Sequence, residues 1–351
     1  MTLRELYRQK DLPIFQNRMY DSASEGRDCP KGDMRLVEDM TTGLVYNADF
    51  DPKAMNYDVG YEGEQGHSPL FKAHMEAMAD LVEATMGREG LVEVGCGKGT
   101  FMEILLARGI DLVGYDPSYE GSSPRIVREY FSEELGITGN GLIVRLVLDH
   151  IADPVGFLHR LAAANGNKGL IYIEVPCLDW ICRHRAWFDI FYEHVNYFRL
   201  TDFSRIFGRV VHAGHAFGGQ YLAVVADLGT LRQPRRDPSD TVDFPPDLTD
   251  RLTAEAGAEQ GRVVVWGGAS KGVIFSLLRA RAGHPVDRVI DINPAKQGRY
   301  LAATGLRVLS PTEGLADLPE GSPIYVMNPN YLEEVRAMAG PLFDCKGMSH
   351  D

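Results

Sequence analysis

One stretch, Leu91-Val92-Glu93-Val94-Gly95-Cys96-Gly97-Lys98-Gly99-Thr100, constrains this chain more than any other. A short apolar run ends in three glycines spaced by two, and a helical pattern begins at about Phe101. Glycine lacks a Cβ and tolerates positive φ, so such a loop brings backbone N–H groups close to a ligand between a buried strand and a helix. Dinucleotide folds place Gly-x-Gly-x-x-Gly in the same position, so the glycines alone do not choose a ligand. Here Thr100 stands where the third dinucleotide glycine would be, and Glu93 precedes the loop. Asp116 closes the next apolar run, Val113-Gly114-Tyr115-Asp116-Pro117, where it is suitably placed to accept from ribose hydroxyls.

The rest of the chain repeats this rhythm. Residues 74–86 have helical periodicity, and Leu91–Val94, Leu112–Tyr115, Leu142–Val147 and Leu170–Val175 read as strands separated by helix-length segments. A proline- and charge-rich stretch, Arg232 to Pro246, interrupts the alternation. It resumes at Val263–Trp266, running into Gly267-Gly268-Ala269-Ser270-Lys271-Gly272 and a helical Val273–Arg281. Further strands are expected at Val289–Asp291, Arg307–Leu309 and Ile324–Met327. The expected class is α/β: a doubly wound Rossmann-like core, a second, smaller Rossmann-like C-terminal domain, and a short N-terminal segment. The boundaries read from the texture are 1–70, 71–230, a linker at 231–250, and 251–351.

Composition removes several classes. With 36 Lys+Arg against 49 Asp+Glu, a net charge of −13 disfavours nucleic acid or an anionic membrane surface as the main partner. No apolar run approaches the roughly 18 residues of a transmembrane helix, and residues 1–20 carry no signal-peptide core. The five cysteines, Cys29, Cys96, Cys177, Cys182 and Cys345, form no Cys-x-x-Cys pair, so neither a disulfide framework nor a zinc knuckle is indicated. The expectation is a cytoplasmic protein, with a homodimer left open.

The Glu-x-Gly-x-Gly-x-Gly loop with Asp116 after the second strand resembles class I S-adenosylmethionine-dependent methyltransferases. The resemblance continues through Arg145-Leu146-Val147-Leu148-Asp149-His150-Ile151-Ala152-Asp153-Pro154, with Asp149 in place of the usual Glu. It also covers Ile173-Glu174-Val175-Pro176, Phe191-Tyr192-Glu193-His194-Val195-Asn196-Tyr197-Phe198, Gly218–Leu222, the loop 267–272 and Asp291–Tyr300. Together these are similar to three-part methyltransferases that C-methylate nucleotide-linked deoxy-keto-sugars. The resemblance implies S-adenosyl-L-methionine as cofactor, held by Glu93, Gly95, Gly97, Gly99 and Asp116, with Tyr61 and Ser68 in a covering segment at 57–68. It implies a catalytic group of His194, Glu193 and Tyr192. Substrate contacts then fall to Tyr197, Lys271 and Asn293.

Two departures qualify it. The relatives carry zinc-ligand cysteines in their N-terminal module, whereas the matching stretch here is Asp39-Met40-Thr41-Thr42-Gly43, so a shortened module with no metal is expected. The relatives' Tyr-x-Glu-His reads Phe191-Tyr192-Glu193-His194, so the phenol is missing from its usual place. C-methylation beside a ketone needs a base to take an acidic C–H proton and a donor to hold the enolate. His194 is the candidate base, with Glu193 orienting it or a substrate hydroxyl and Tyr192 or Tyr197 standing in for the phenol.

Alternatives stand beside each reading. Glu193-His194 also reads as a buried structural pair, the tyrosines 57 and 61 as plain packing, and the C-terminal unit as a structural domain rather than one that holds the substrate's nucleotide. If no enolate forms, His194 serves O- or N-methylation of a natural-product or glycan precursor. Two other classes compete: an NAD(P)-dependent oxidoreductase using either glycine loop, and a noncatalytic nucleotide-binding or assembly protein. Thermal stabilisation by NAD and not by S-adenosylhomocysteine would select the oxidoreductase.

Overall fold

A computed structural model describes residues 2–55, 61–64, 66–135, 139–250 and 262–348 and organises them around three sheets. The first is antiparallel, with strands β1 (Leu3–Pro13), β2 (Lys31–Asp39) and β3 (Val45–Asn47). Its fourth strand comes from far along the chain. The central sheet holds β4 (Leu91–Val94), β5 (Leu112–Tyr115), β6 (Ile126–Val127), β7 (Gly141–Arg145) and β8 (Leu170–Pro176). Next in the chain, β9 (Asn196–Tyr197) closes the N-terminal sheet beside β3. Strands β10 (Val210–Ala216) and β11 (Tyr221–Asp227) complete the central sheet, in the order β6-β5-β4-β7-β8-β11-β10. Strands β4 to β8 run parallel, and β11 is antiparallel to both β8 and β10. The third sheet is wholly parallel, β14-β13-β12-β15-β16, built from Val264–Trp266, Arg288–Ile290, Val308–Leu309, Pro323–Val326 and Asp344–Gly347 taken as β12 to β16.

The central and C-terminal sheets both start at an inner strand, add neighbours on one side, then cross to the other. That leaves a crevice at the carboxyl ends of β4 and β7, where ligands of open α/β sheets bind. The central strands are apolar because both faces are covered: Leu91, Val92, Leu142, Ile143, Val144, Ile171 and Ile173 are all buried. The helix Pro69–Met86 covers one face; Ser68 Oγ accepts from Phe71 N–H at 3.2 Å, Pro69 sits at its first turn, and Gly87 ends it at φ 81°.

Local chemistry explains where elements differ from expectation. Strand β7 stops at Arg145 and not Val147, because Leu146 adopts φ 52° and turns the chain. In β1 the residues alternate in exposure without an apolar period, as Arg4, Glu5, Arg8 and Lys10 occupy much of it. Its strand state comes from pairing with β2, whose Met34, Leu36 and Val37 are buried. The stretch after Arg232 lies against the N-terminal sheet: Arg236 N–H donates to Thr41 O at 2.9 Å, Arg4 Nη2 donates to Val242 O at 2.6 Å, and Val242 is buried. Among the described residues, no helix is long and apolar enough to cross a membrane.

Candidate active site

The glycine loop joins β4 to the helix Thr100–Ala107. Gly95, Gly97 and Gly99 have φ of 75°, 55° and 83°, which L side chains rarely adopt. Their surroundings differ. A Cβ on Gly95 would meet Val147 Cγ2 at 2.5 Å and one on Gly99 would meet Ile126 Cδ1 at 2.7 Å, whereas one on Gly97 would meet nothing within 4 Å. Gly97 therefore forms the open side of the cradle, and Gly95 and Gly99 fix its walls. Asp116 ends β5 with Oδ2 accepting from Gly97 N–H at 2.8 Å and Oδ1 accepting from Ser118 N–H and Oγ–H at 2.9 and 2.6 Å.

Glu93 points into a buried cluster beneath this loop. Burial pushes its carboxyl up to about 8, and the Arg145 guanidinium only partly offsets that. Glu174 lies in the same cluster and behaves oppositely. Burial alone would raise it, but Arg145 Nε at 2.8 Å and His74 Nε2 at 2.6 Å outweigh burial and bring it to about 2. Tyr172 donates to the same carboxylate at 2.9 Å, and the Arg145 guanidinium lies 4.2 Å from the Phe101 ring centre. A charged cluster thus braces β7, β8 and both flanking helices under the loop.

The segment 61–64 lies over the loop. Glu62 Oε2 pairs with Lys98 Nζ at 2.6 Å, Glu64 Oε2 accepts from Thr100 Oγ1 at 2.6 Å, and Glu62 Oε1 accepts from Asn293 Nδ2 at 3.1 Å. Tyr61 is held by Asn17, whose Nδ2 donates to the phenol oxygen at 3.1 Å. Asn17 Oδ1 in turn accepts from Ser270 Oγ at 3.0 Å. Ser68 caps its helix and donates to Glu334 Oε2 at 2.8 Å. Tyr57 lies outside the described residues.

The turn Phe191–Val195 carries the candidate base. His194 N–H donates to Phe191 O at 3.2 Å, Val195 N–H to Asp149 O at 2.8 Å, and Tyr197 Oη bonds both N–H and O of Phe191 at 3.0 and 3.2 Å. His194 Nε2 stands 3.2 Å from Asp149 Oδ2, and His150 Nε2 stands 3.5 Å from the same oxygen. The Phe191 ring covers the His194 ring at 3.9 Å. Burial first, then the nearby His150 and Lys271, holds His194 well below the usual histidine range. The imidazole is therefore neutral near pH 7. Burial raises Asp149, with His150 opposing it.

The other expected residues take different places. Tyr192 turns towards the N-terminal sheet, its hydroxyl accepting from Asp51 N–H at 2.9 Å and its ring on Phe50 at 5.3 Å. Glu193 also faces that side: its Oε2 accepts from Gln16 N–H at 2.8 Å, and its own N–H donates to Gln16 Oε1 at 3.3 Å. Burial pushes its carboxyl up to about 8. Tyr197 is buried, its ring centre 6.3 Å from that of His194. Lys271, at the start of the helix Ser270–Arg281, reaches into the central domain, pairing with buried Asp189 at 2.7 Å and lying 5.1 Å from the Trp180 ring centre. Asn293 holds Glu62. The structure thus sets Lys271 near enough to His194 to lower its pKa, aims Tyr192 at the N-terminal sheet, and places Glu193 against Gln16 and Tyr61.

Sequence reasoning did not single out His150, Arg145, His74 or Glu62. For His150 a signal existed, its place beside Asp149 just past a strand end at the crevice; for the others the partners are too distant in sequence to read.

Three comparisons with known proteins bear on this geometry. Residues 69–210 match the family model described as a methyltransferase domain. The chain is 28% identical over 185 residues to the C-methyltransferase NovU of Streptomyces niveus, a match covering 46% of this chain and 44% of that protein, less than half of its length. Among solved structures it is similar to the 1,6-didemethyltoxoflavin-N1-methyltransferase of Burkholderia thailandensis with bound S-adenosylhomocysteine, at 19% identity and a TM-score of 0.35, over 44% of this chain and 78% of that one. It is also similar to the magnesium protoporphyrin IX methyltransferase of Synechocystis PCC 6803, at 15% identity and a TM-score of 0.36, over 45% and 83%. Neither structure bears on what this chain acts upon, and its fold class rests on its own strand order.

Proposed function

We propose that this chain is an S-adenosylmethionine-dependent methyltransferase acting on a small molecule, and that it C-methylates a nucleotide-linked keto-sugar or related precursor with His194 as general base. The observation that carries the proposal is a half-buried, neutral imidazole beside a glycine cradle: Val147, which packs on Gly95, lies three residues before His150, and His150 and His194 share Asp149. The cradle fits the cofactor, because the space beside Gly97 is open and Asp116 keeps acceptor capacity beside it for ribose hydroxyls. When bound, S-adenosylmethionine supplies a methyl group on a positively charged sulfur.

The chain's residues do the rest. Glu62 and Glu64 hold a short segment over the loop and restrict water. His194 Nε2 takes the proton from the carbon next to the carbonyl, and Asp149, 3.2 Å away, stabilises the imidazolium that results. His150 is the donor placed to hold the oxygen on which negative charge collects, a task the missing phenol cannot perform at position 191. Lys271, seated on Asp189, adds positive charge from the C-terminal domain for an anionic substrate. Glu193 and Tyr192 support the turn from the side facing the N-terminal sheet.

The test is turnover of candidate acceptors, read by mass and by NMR location of the new methyl. His194→Ala is expected to lower turnover by about 10²–10⁴-fold while S-adenosylhomocysteine still raises the melting temperature. Unchanged turnover removes His194 from the role of base, and a methyl found on oxygen or nitrogen rejects the enolate.

A further inference from the structure

The lack of clustered cysteines excludes a thiolate metal site, and says nothing of imidazole and carboxylate ligands. Asp149, His150 and His194 each offer a ligand atom, and these three atoms lie within 4.8 Å of one another. Two of the three separations, 3.2 and 3.5 Å from Asp149 Oδ2 to the imidazole Nε2 atoms, match the edge of a tetrahedron whose centre binds at about 2.0–2.1 Å, roughly 3.3–3.4 Å. A second observation is independent of spacing. Asp149 is 1% exposed, yet neither of its carboxylate oxygens has a hydrogen-bond partner. Buried carboxylate oxygens are costly unless paired, and a cation held between the three groups supplies that pairing.

We infer that Asp149, His150 and His194 form a binding site for one divalent transition-metal ion, and that its occupancy switches off His194 as a base. This rests on the role for His194 proposed above. Two imidazoles and one carboxylate select zinc, cobalt, nickel or ferrous iron over magnesium or calcium, which prefer oxygen ligands. Lys271 pairs with Asp189 at 2.7 Å rather than with Asp149. Ligation and catalysis use the same lone pair on His194 Nε2, so they exclude each other. His194 Nδ1 has no hydrogen-bond partner, and a ligand left unanchored in this way binds metal more weakly than one fixed through its other nitrogen. The site is accordingly a reversible inhibitory one.

Tag-free protein stripped with chelator and titrated with Co²⁺ reads binding without turnover. One equivalent is expected to produce the visible bands of a four-coordinate ion, and sub-stoichiometric Co²⁺ to broaden the ring resonances of His150 and His194 in the unmodified protein. In Asp149→Asn and His150→Gln, with folding checked by S-adenosylhomocysteine binding, affinity should fall by more than about tenfold. Zn²⁺ should then abolish turnover of the parent and chelator restore it. No binding, equal binding in both variants, broadening of other histidines only, or turnover that rises with metal each overturns the inference. Turnover lost in His194→Ala while the parent binds no Co²⁺ leaves the base standing and the metal site refuted; Co²⁺ bound by the parent and weakened in Asp149→Asn and His150→Gln, with turnover retained in His194→Ala, does the reverse.

Discussion

At the scale of single residues, the Glu-His pair divides its labour. His194 faces Asp149, while Glu193 faces Gln16 and is pushed up to about 8 by burial. Against its ordinary value of 4.5, this raised value means that the folded chain keeps a proton the unfolded chain gives up. The stability this group contributes therefore falls as pH rises from 4.5 to about 8 and levels off above that window. Glu193→Gln cannot ionise and still accepts from Gln16. Urea denaturation across about pH 5 to 8 is expected to show a shallower decline for the variant than for the parent, because the other buried carboxyls raised in the same direction, Glu93 and Asp202 among them, are unchanged. Parallel slopes would show that Glu193 is ionised when folded. His194 and its neighbour look alike as letters, and only the turn that aims them in opposite directions separates their tasks.

At the scale of elements, the cluster of Glu174 with Arg145, His74 and Tyr172 holds two strands and the helix Pro69–Met86 in place beneath the cradle. Removing the charge of Glu174 leaves Arg145 buried and uncompensated. Glu174→Gln is expected to cost about 3–5 kcal/mol, read as a lowered urea midpoint, with S-adenosylhomocysteine affinity weakened in parallel. Strands β4, β5, β7, β8 and β12 to β15 and the cradle were legible in the sequence, because buried runs and glycine turns are local signals, whereas β6, β10, β11 and β16 were not read from it. The N-terminal sheet was not. Its first strand is largely polar, and its partners are set by pairing rather than by period. The ion cluster and the Asp149–His150–His194 group join residues far apart in the chain, which no spacing rule brings together.

At the scale of the whole molecule, loops from three parts of the chain converge on the glycine cradle. Asn17, Glu62, Lys98, Ser270 and Asn293 link the N-terminal region, the cradle and the C-terminal domain through side-chain hydrogen bonds and one ion pair. Asn293→Ala removes the contact with Glu62 and leaves the cradle untouched. It is expected to weaken S-adenosylhomocysteine binding several-fold by calorimetry while changing the melting temperature little; unaltered affinity would mean that the C-terminal domain does not hold the covering segment.

The two-residue strand β9 has a further meaning for how such a molecule comes into being. Residues 45 and 46 pair with 197 and 196, the step directly after His194. During synthesis, β3 leaves the ribosome about 150 residues before its partner, an interval on the order of ten seconds or more. Until then, one edge of that sheet stays unpaired in the nascent chain. The last piece to seal it brings the turn Phe191–Val195 along, so closing the first-made of these three sheets and setting His194 beside Asp149 are a single event in the life of each chain.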